Sequence, residues 1–270
     1  MKTSVIYKKT IALFLSFLCI VSSAVNIFAA AESSDALSDK EISWYFVPKK
    51  DNARPPYPEE ASFFSKYSSY YLGPDEKVVY LTFDAGYENG NVEKIVNILA
   101  KNDVKGAFFV LKNFVECNKE LVHRMTEKGH LICNHTLKHR NMAKCATEEE
   151  FAAELKAMED LYTAVTGKAL SKFYRPPEGR FNEKNLFWAE KMGYKTIFWS
   201  VAYADWDNNA QPEPDASLQK LLDRTHNGAI VLLHPTSSTN AAILDDYIKE
   251  LKVRGYRFGE LTELENGGVG

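Results

Sequence analysis

The sequence contains neither of the glycine-rich motifs that bind nucleotide phosphates, G-x-G-x-x-G and the P-loop. It also lacks the G-x-S-x-G motif that carries the nucleophilic serine of many hydrolases. No cysteine has an evident His–Asn pair. These absences argue against a doubly wound nucleotide-binding fold and against catalysis by a serine or cysteine nucleophile.

An excess of positive charge is absent as well. The 33 Lys and Arg residues against 36 Asp and Glu residues give a net charge of -3. This charge does not indicate a protein that binds nucleic acid. Neutral polymers or small molecules are the expected partners. Cysteine is scarce, and the three that follow the N-terminal segment, an odd number, indicate no disulfide framework: Cys117, Cys133 and Cys145.

Residues 1–31 have the pattern of a secretory signal peptide. Lysines precede an apolar run at 11–21, and small residues follow up to Ala31. We expect the protein to be exported, with a mature chain that begins near Ala31 or Glu32. Retention of the segment as a membrane anchor is the alternative.

Residues 32–74 form a predicted N-terminal extension. After a polar start it is rich in aromatic residues and proline, without helical or strand periodicity. We predict that it wraps over the main domain and plugs one end of it. The alternative is a carbohydrate-stacking surface made by Trp44, Tyr45 and Tyr70.

Residues 75–264 alternate between strands and helices, and 265–270 are a predicted flexible tail. The stretch at 78–90, VVYLTFDAGYENG, is a buried strand and a polar turn, and an amphipathic helix opens at Asn91. Further strands are predicted at 106–111, 130–135, 173–177, 196–201, 229–234 and 256–261. About seven such units without a nucleotide motif favour an α/β fold, a distorted (β/α) barrel.

Chemically capable side chains follow these strands. They lie at or just past the carboxyl ends of separate strands, which form the active rim of such a barrel, and are Asp84, His135, Arg175, Asp205 and His234. Each also has a structural interpretation. Arg175 could be a surface arginine, Asp205 a helix cap, and Trp206 a core residue, whereas the functional interpretation makes Trp206 a substrate wall.

His135 and His139 are four residues apart. Their imidazoles would share one face if the turn after the strand is helical, and neutral imidazole is a common ligand of zinc-like metals. An accidental pair on an exposed helix is the alternative. The pattern predicts a divalent metal site, with zinc as the expected ion and cobalt or manganese as alternatives.

Five motifs resemble those of the NodB-homology polysaccharide deacetylases and occur in the family's order. They are TFDAG (82–86), NHTLKH (134–139), RPPEGRF (175–181), ADW (204–206) and LLH (232–234). Further stretches, SWYFVP, YYLG and FWSVAYADW, resemble the spore-cortex peptidoglycan deacetylases, which prepare muramic acid for δ-lactam formation. The resemblance implies a distorted barrel of about seven β/α units.

The resemblance also implies residue roles. It makes Asp84 the catalytic base, His135 and His139 the metal ligands, Arg175 the residue that holds the base, Asp205 the residue that orients the acid, and His234 the general acid. Expected substrate-binding residues are Tyr87, Asn134, Trp206 and Arg180. Arg180 is a candidate for binding a lactyl carboxylate, and a solvent-facing arginine is its alternative.

Two positions depart from the family pattern. Many members have a third metal ligand, an aspartate, directly after the base, where this chain has Ala85. Another aspartate often stands where this chain has Ala202. The first departure makes the metal's affinity and identity the open question of the site.

The expected function is therefore metal-dependent N-deacetylation of N-acetylmuramic acid in peptidoglycan, in the cell wall or spore cortex. The expected partner is a glycan strand, and no stable protein partner is evident. Alternatives are a deacetylase of N-acetylglucosamine in peptidoglycan or chitin-like glycans, a non-catalytic glycan-binding relative, and a barrel glycosidase with Asp84 and Asp205 as its carboxyl pair.

Overall fold

The structure is a computed structural model in which residues 36–49 and 52–266 are described. The predicted signal segment at 1–31 and the end of the predicted tail, 267–270, lie outside the described residues. Within the described part of the chain, none of the helices combines the length and the apolarity that crossing a membrane requires.

The described strands and helices follow one another in a largely alternating order. The strands are β1 (Ile42–Ser43), β2 (Ser69–Tyr70), β3 (Val78–Ala85), β4 (Ala107–Val110), β5 (Leu131–Asn134), β6 (Phe173–Tyr174), β7 (Arg180–Phe181), β8 (Lys195–Ile197), β9 (Ala229–Leu233) and β10 (Arg257–Phe258). The α-helices are α1 (Asn91–Lys101), α2 (Lys112–Cys117), α3 (Lys119–Glu127), α4 (Glu148–Thr166), α5 (Glu183–Lys191), α6 (Pro214–Arg224) and α7 (Ser238–Val253).

Strand β3 is the centre of a parallel sheet. Its valine, tyrosine, threonine and phenylalanine residues favour strand conformation, and seven of its eight residues are buried. β4 pairs with its second half, in the register Thr82↔Ala107. β9 pairs with its other edge, in the register Val79↔Ala229, and β10 pairs with its first two residues.

The sheet continues from β4 through β5, β6 and β8 to β2, with all of these neighbours parallel. It curls until the segment after β8 reaches β9. Ser200 N donates to Ile230 O at 3.0 Å, and Leu232 N donates to Val201 O at 2.9 Å. The predicted distorted barrel is thus confirmed. β10 does not close the ring, because it pairs only with the start of β3.

Alternation along β3 decides which side chains enter the barrel. Val79, Leu81, Phe83 and Ala85 belong to the large apolar cluster between the sheet and the helices. Val78 and Tyr80 belong to a smaller cluster inside the barrel. Because successive side chains of a strand point to opposite faces, the side chain of Asp84 is on the inner face and that of Ala85 is on the outer face.

The N-terminal extension packs against β7 and β8. Ile42 pairs antiparallel with Phe181. The Trp44 ring lies 4.5 Å from the Phe198 ring between centroids, and Trp44 Nε1 donates to Trp199 O at 2.9 Å. Trp44 is only 5% exposed, so it cannot belong to a carbohydrate-stacking surface.

The loop after β5 differs from its prediction. The backbone is not helical there, because Thr136 and His139 have φ angles of 70° and 56°. The side chains of the loop hold this conformation instead: Asn134 Oδ1 accepts from Thr136 N at 2.9 Å, and Thr136 Oγ1 accepts from His139 N at 3.0 Å.

Helix α2 and the short strands β1, β2 and β7 were not predicted from the sequence, since they are too short to show a periodicity.

Candidate active site

Arg175 and Asp84 form a buried ion pair at the carboxyl ends of β6 and β3. Arg175 Nη1 lies 2.7 Å from Asp84 Oδ1, and the arginine side chain is fully buried. Its other two nitrogens are hydrogen-bonded as well, since Nη2 donates to Thr82 Oγ1 at 2.8 Å and Nε to Ile197 O at 3.1 Å. A buried guanidinium is tolerated when it is paired and hydrogen-bonded in this way.

Asp84 remains ionised in this setting. Burial raises the pKa of the carboxyl group, but the charges of Arg175, His135 and His234 and the Arg175 hydrogen bond lower it by more, so the net pKa is below the ordinary value. The site therefore presents a carboxylate that can accept a proton.

His135 is held as a neutral imidazole. Its Nδ1 lies 2.8 Å from Arg175 O, and a carbonyl oxygen can only accept, so Nδ1 carries the proton and Nε2 has the free lone pair. Burial lowers the pKa of His135 to about 4. Nε2 lies 3.5 Å from Asp84 Oδ2. This tautomer leaves the Nε2 lone pair available to a metal ion.

His139 lies beside His135 despite the non-helical loop, with 5.0 Å between the ring centroids. Among the described residues, no group of three or more His, Cys, Asp or Glu side chains could hold a metal ion. Two imidazoles next to a carboxylate nevertheless fit the ligand preference of zinc-like divalent ions. Ala85 supplies no further metal ligand, because its side chain is a methyl group and lies in the apolar cluster behind the sheet.

Asp205 and His234 form the second pair of the site. Asp205 Oδ1 lies 2.8 Å from His234 Nδ1, and Asp205 Oδ2 accepts from His234 N at 2.8 Å. Burial lowers the pKa of His234, but the hydrogen bond and charge of Asp205 raise it by more, and the net pKa is above the ordinary value. Asp205 therefore favours the protonated form of His234.

Asn240 completes this second pair and was not identified from the sequence. Its Nδ2 donates to Asp205 Oδ2 at 2.6 Å and to His234 O at 3.0 Å, and its Oδ1 accepts from Tyr203 Oη. A polar residue in the first turn of the helix after LLH is the signal that could have indicated it, because α7 buries Asn240 completely.

One residue of each pair lines a cavity of about 990 Å³. Asp84, His135, His139 and His234 line it. Trp206, which is 63% exposed, and Tyr87, which is 45% exposed, also line it and can contact a bound sugar. The N-terminal extension contributes lining residues that the sequence did not indicate, Phe46 and Pro48.

Two predicted substrate-binding residues are placed differently by the structure. The prediction for Asn134 was wrong: it is fully buried, and its Nδ2 donates to Leu155 O at 2.9 Å and to Tyr194 Oη at 2.7 Å. Arg180 is outside the cavity lining. Its guanidinium is ion-paired with Glu178 at 2.7 Å and Glu41 at 3.2 Å, so its charge is already neutralised.

The chain is similar to known proteins in sequence and in fold. The sequence profile of polysaccharide deacetylases matches residues 72–197. The peptidoglycan-N-acetylmuramic acid deacetylase PdaA of Bacillus subtilis strain 168 is 37% identical over 254 residues, 93% of this chain and 96% of that protein. A peptidoglycan-N-acetylglucosamine deacetylase of Bacillus cereus is 33% identical over 208 residues, 75% of this chain and 74% of that protein. The solved structure of Bacillus subtilis PdaA, a family 4 carbohydrate esterase, superposes with a TM-score of 0.81 over 85% of this chain and 98% of that one.

Proposed function

The chain belongs to the polysaccharide deacetylase family, and we propose that it removes the acetyl group from N-acetylmuramic acid in peptidoglycan. The main support for the proposal is that two ion pairs each contribute one residue to the same cavity. Asp84–Arg175 supplies a carboxylate and Asp205–His234 supplies a protonated imidazole. Similarity to the N-acetylmuramic acid deacetylase over 93% of the chain supports the choice of sugar.

Asp84 is the general base in this proposal. Its carboxylate accepts a proton from the water that attacks the acetamide carbon, so that a carbon–oxygen bond forms. Arg175 keeps the carboxylate ionised and fixes its orientation through the 2.7 Å contact. Because the base is positioned before substrate binds, little reorganisation is needed during the reaction.

His234 is the general acid. It donates its proton to the sugar nitrogen as the carbon–nitrogen bond breaks, and the products are acetate and a free amine. Asp205 holds the imidazole through Nδ1, which leaves the Nε2 proton for the leaving group. Asn240 in turn holds Asp205.

Family 4 deacetylases are generally metal-dependent. His135 and His139 are the residues that would hold the ion here, and a divalent ion would supply Lewis-acid chemistry to the acetamide carbonyl. The hydrogen bond from His135 Nδ1 to Arg175 O fixes the ring orientation and leaves Nε2 free to bind the ion.

The cellular setting is part of the proposal. The signal-peptide pattern of residues 1–31 supports export to the cell wall or the spore cortex. There, deacetylated muramic acid would have a free amine next to its lactyl carboxyl group, and the two can close a δ-lactam. An uncleaved N-terminal anchor remains the alternative mode of localisation.

N-acetylglucosamine is the alternative sugar, and the similarity to the Bacillus cereus deacetylase favours it. A glycosidase is disfavoured by the position of Asp205. This carboxylate is 1% exposed, receives hydrogen bonds from His234 and Asn240, and is not among the cavity-lining residues. It therefore cannot act with Asp84 as a carboxyl pair on a glycosidic bond.

One assay tests the proposal. The purified protein with added zinc is incubated with peptidoglycan strands from which an amidase has removed the stem peptides. Acetate and reducing ends are measured, and the products are examined by mass spectrometry after muramidase digestion. We expect acetate release, no new reducing ends, and loss of acetyl mass from muramic acid. Acetyl loss confined to glucosamine would assign the alternative sugar, and absence of acetate release would refute deacetylation.

A further inference from the structure

Arg224 is a cation of the cavity that the deacetylation chemistry does not use. It is the last residue of α6, is partly buried, and lines the same cavity as Asp84 and His234. Its Nη1 donates to the carbonyl oxygen of Ala202, which lines the cavity as well.

The other charged groups at this cavity each have a partner of opposite charge within the protein. Asp84 is paired with Arg175, and Glu178 is paired with Arg180. The imidazole of His234 is paired with Asp205.

Arg224 differs from them. Within residues 36–49 and 52–266, it forms no ion pair with a carboxylate, and the Ala202 carbonyl is the acceptor that it contacts. Burial lowers the pKa of Arg224, and no neighbouring carboxylate raises it. A guanidinium remains charged at neutral pH and offers five N–H donors in a planar fork, so most of its hydrogen-bonding capacity is available to a ligand.

We propose that Arg224 binds a carboxylate of the glycan strand, the lactyl carboxylate of a muramic acid residue. The inference rests on the proposed function, because muramic acid is the sugar of that strand that carries such a group. A guanidinium and a carboxylate match in geometry and can form two parallel hydrogen bonds. Arg180, the arginine that the sequence indicated, is unsuitable because Glu178 and Glu41 already occupy it.

This assignment gives the cavity a means of selecting among glycans that share the reacting acetamide. Strands with a free lactyl carboxylate gain the Arg224 contact. Strands whose carboxyl group is blocked, as by a stem peptide, and glucosamine oligomers lose it. Arg224 is thus a specificity-determining residue and takes no part in the bond changes.

The test measures binding apart from turnover. Two muramic acid-containing tetrasaccharides are compared, one with free lactyl carboxylates and one with their methyl esters. Calorimetric titration into the Asp84→Asn protein in the presence of zinc gives dissociation constants without hydrolysis. Arg224→Gln and Arg224→Lys are made in that background. Lys220→Gln is the matched control, because Lys220 is an exposed cation one turn earlier on α6.

We expect the Asp84→Asn protein to bind the free acid more tightly than the ester. Arg224→Gln should weaken binding of the acid roughly 10- to 100-fold, as expected for a charged hydrogen-bonded pair, and leave the ester unchanged. Arg224→Lys should retain part of the preference, and Lys220→Gln should retain all of it. In the active protein, Arg224→Gln should raise KM for the acid with kcat within about twofold, since only binding is affected.

Equal binding of acid and ester by the Asp84→Asn protein would overturn the inference without any further variant. Equal weakening of acid and ester binding in Arg224→Gln would also overturn the inference, because Arg224 would then only support the Ala202 backbone. If the active protein releases no acetate from any glycan but the Arg224-dependent preference is present, deacetylation fails and the carboxylate subsite stands. If acetate is released and the Arg224-dependent preference is absent, the deacetylase function stands and the carboxylate subsite is refuted.

Discussion

Arg175 Nη1 lies 2.7 Å from Asp84 Oδ1, and this contact joins the ends of two strands that are 91 residues apart in the chain. The same arginine offers its backbone carbonyl to His135 Nδ1 at 2.8 Å. One residue therefore orients both the carboxylate and the first imidazole of the site. Since Arg175 is buried and its donors are satisfied, neither orientation can change without disturbing the barrel interior.

Asp84→Asn should abolish deacetylation, because an amide cannot accept the proton of the attacking water. The expected loss is at least about 100-fold. The variant should remain folded, but its free energy of unfolding should fall by roughly 3–5 kcal/mol, because the buried Arg175 loses its anionic partner. Acetate release and thermal melting measure the two effects. Activity above a few per cent of the parent would show that Asp84 is not the base.

Asp205→Asn should move the alkaline limb of the rate profile to lower pH. A general acid must be protonated, so activity falls as the pH rises through the pKa of His234. Asp205 raises that pKa through its hydrogen bond and charge, so its loss should lower the pKa and shift the limb to lower pH. Asp207→Asn, an exposed change in the same loop, is the control. An unchanged limb in Asp205→Asn would mean that His234 does not supply the proton.

The metal should be held weakly, because the structure supplies two histidines and Ala85 adds no third donor. Dialysis against a chelator should remove activity, and added zinc, cobalt or manganese should restore it. His139→Ala should weaken metal binding in calorimetric titration by at least roughly tenfold. His123→Ala, which removes an exposed histidine of α3, should have no effect. Full activity after exhaustive chelation would refute metal dependence.

Trp44→Ala should destabilise the protein by about 3–5 kcal/mol, because it removes a buried indole that packs on Phe198. The midpoint of thermal unfolding should fall by roughly 6–20 °C. Tyr45→Ala removes the next residue, which is 48% exposed, and should change the midpoint little. Similar midpoints for both variants would show that the N-terminal extension does not contribute to the stability of the barrel.

Stability should decrease as the pH falls from about 6.5 towards 4, and His130 should contribute to this decrease. Burial lowers the pKa of His130 to about 4, so the unfolded chain takes up a proton in this window before the folded protein does. His130→Asn keeps an acceptor for Gly106 N and should remove on the order of 3 kcal/mol of the pH dependence. Urea unfolding with a chelator present measures it, and exposed His123→Asn is the control. Parallel curves for parent and His130→Asn would exclude His130 as a cause.

Much of the barrel and the site could be predicted from local sequence. Short apolar runs bounded by turns identified seven of the eight strands of the parallel sheet, all but the short strand β2. Parallel strands bring their carboxyl ends to one edge of a sheet, so residues such as Asp84, Arg175 and His234 were expected to converge. The resemblance of five motifs to one family then gave each of them a role.

The sequence by itself determined these elements and the chemical groups at their ends, because periodicity and strand-end position are local properties of the chain. Only the tertiary structure decided which groups are paired and which face the cavity. Arg180 is close to Arg175 in sequence yet is ion-paired with two glutamates, whereas Arg224, distant in sequence, lines the cavity. Asn134 stands beside His135 yet is buried, and Asn240 reaches Asp205 from a later helix. Charge pairing and burial depend on contacts between residues that are tens of positions apart, and no local pattern specifies those contacts.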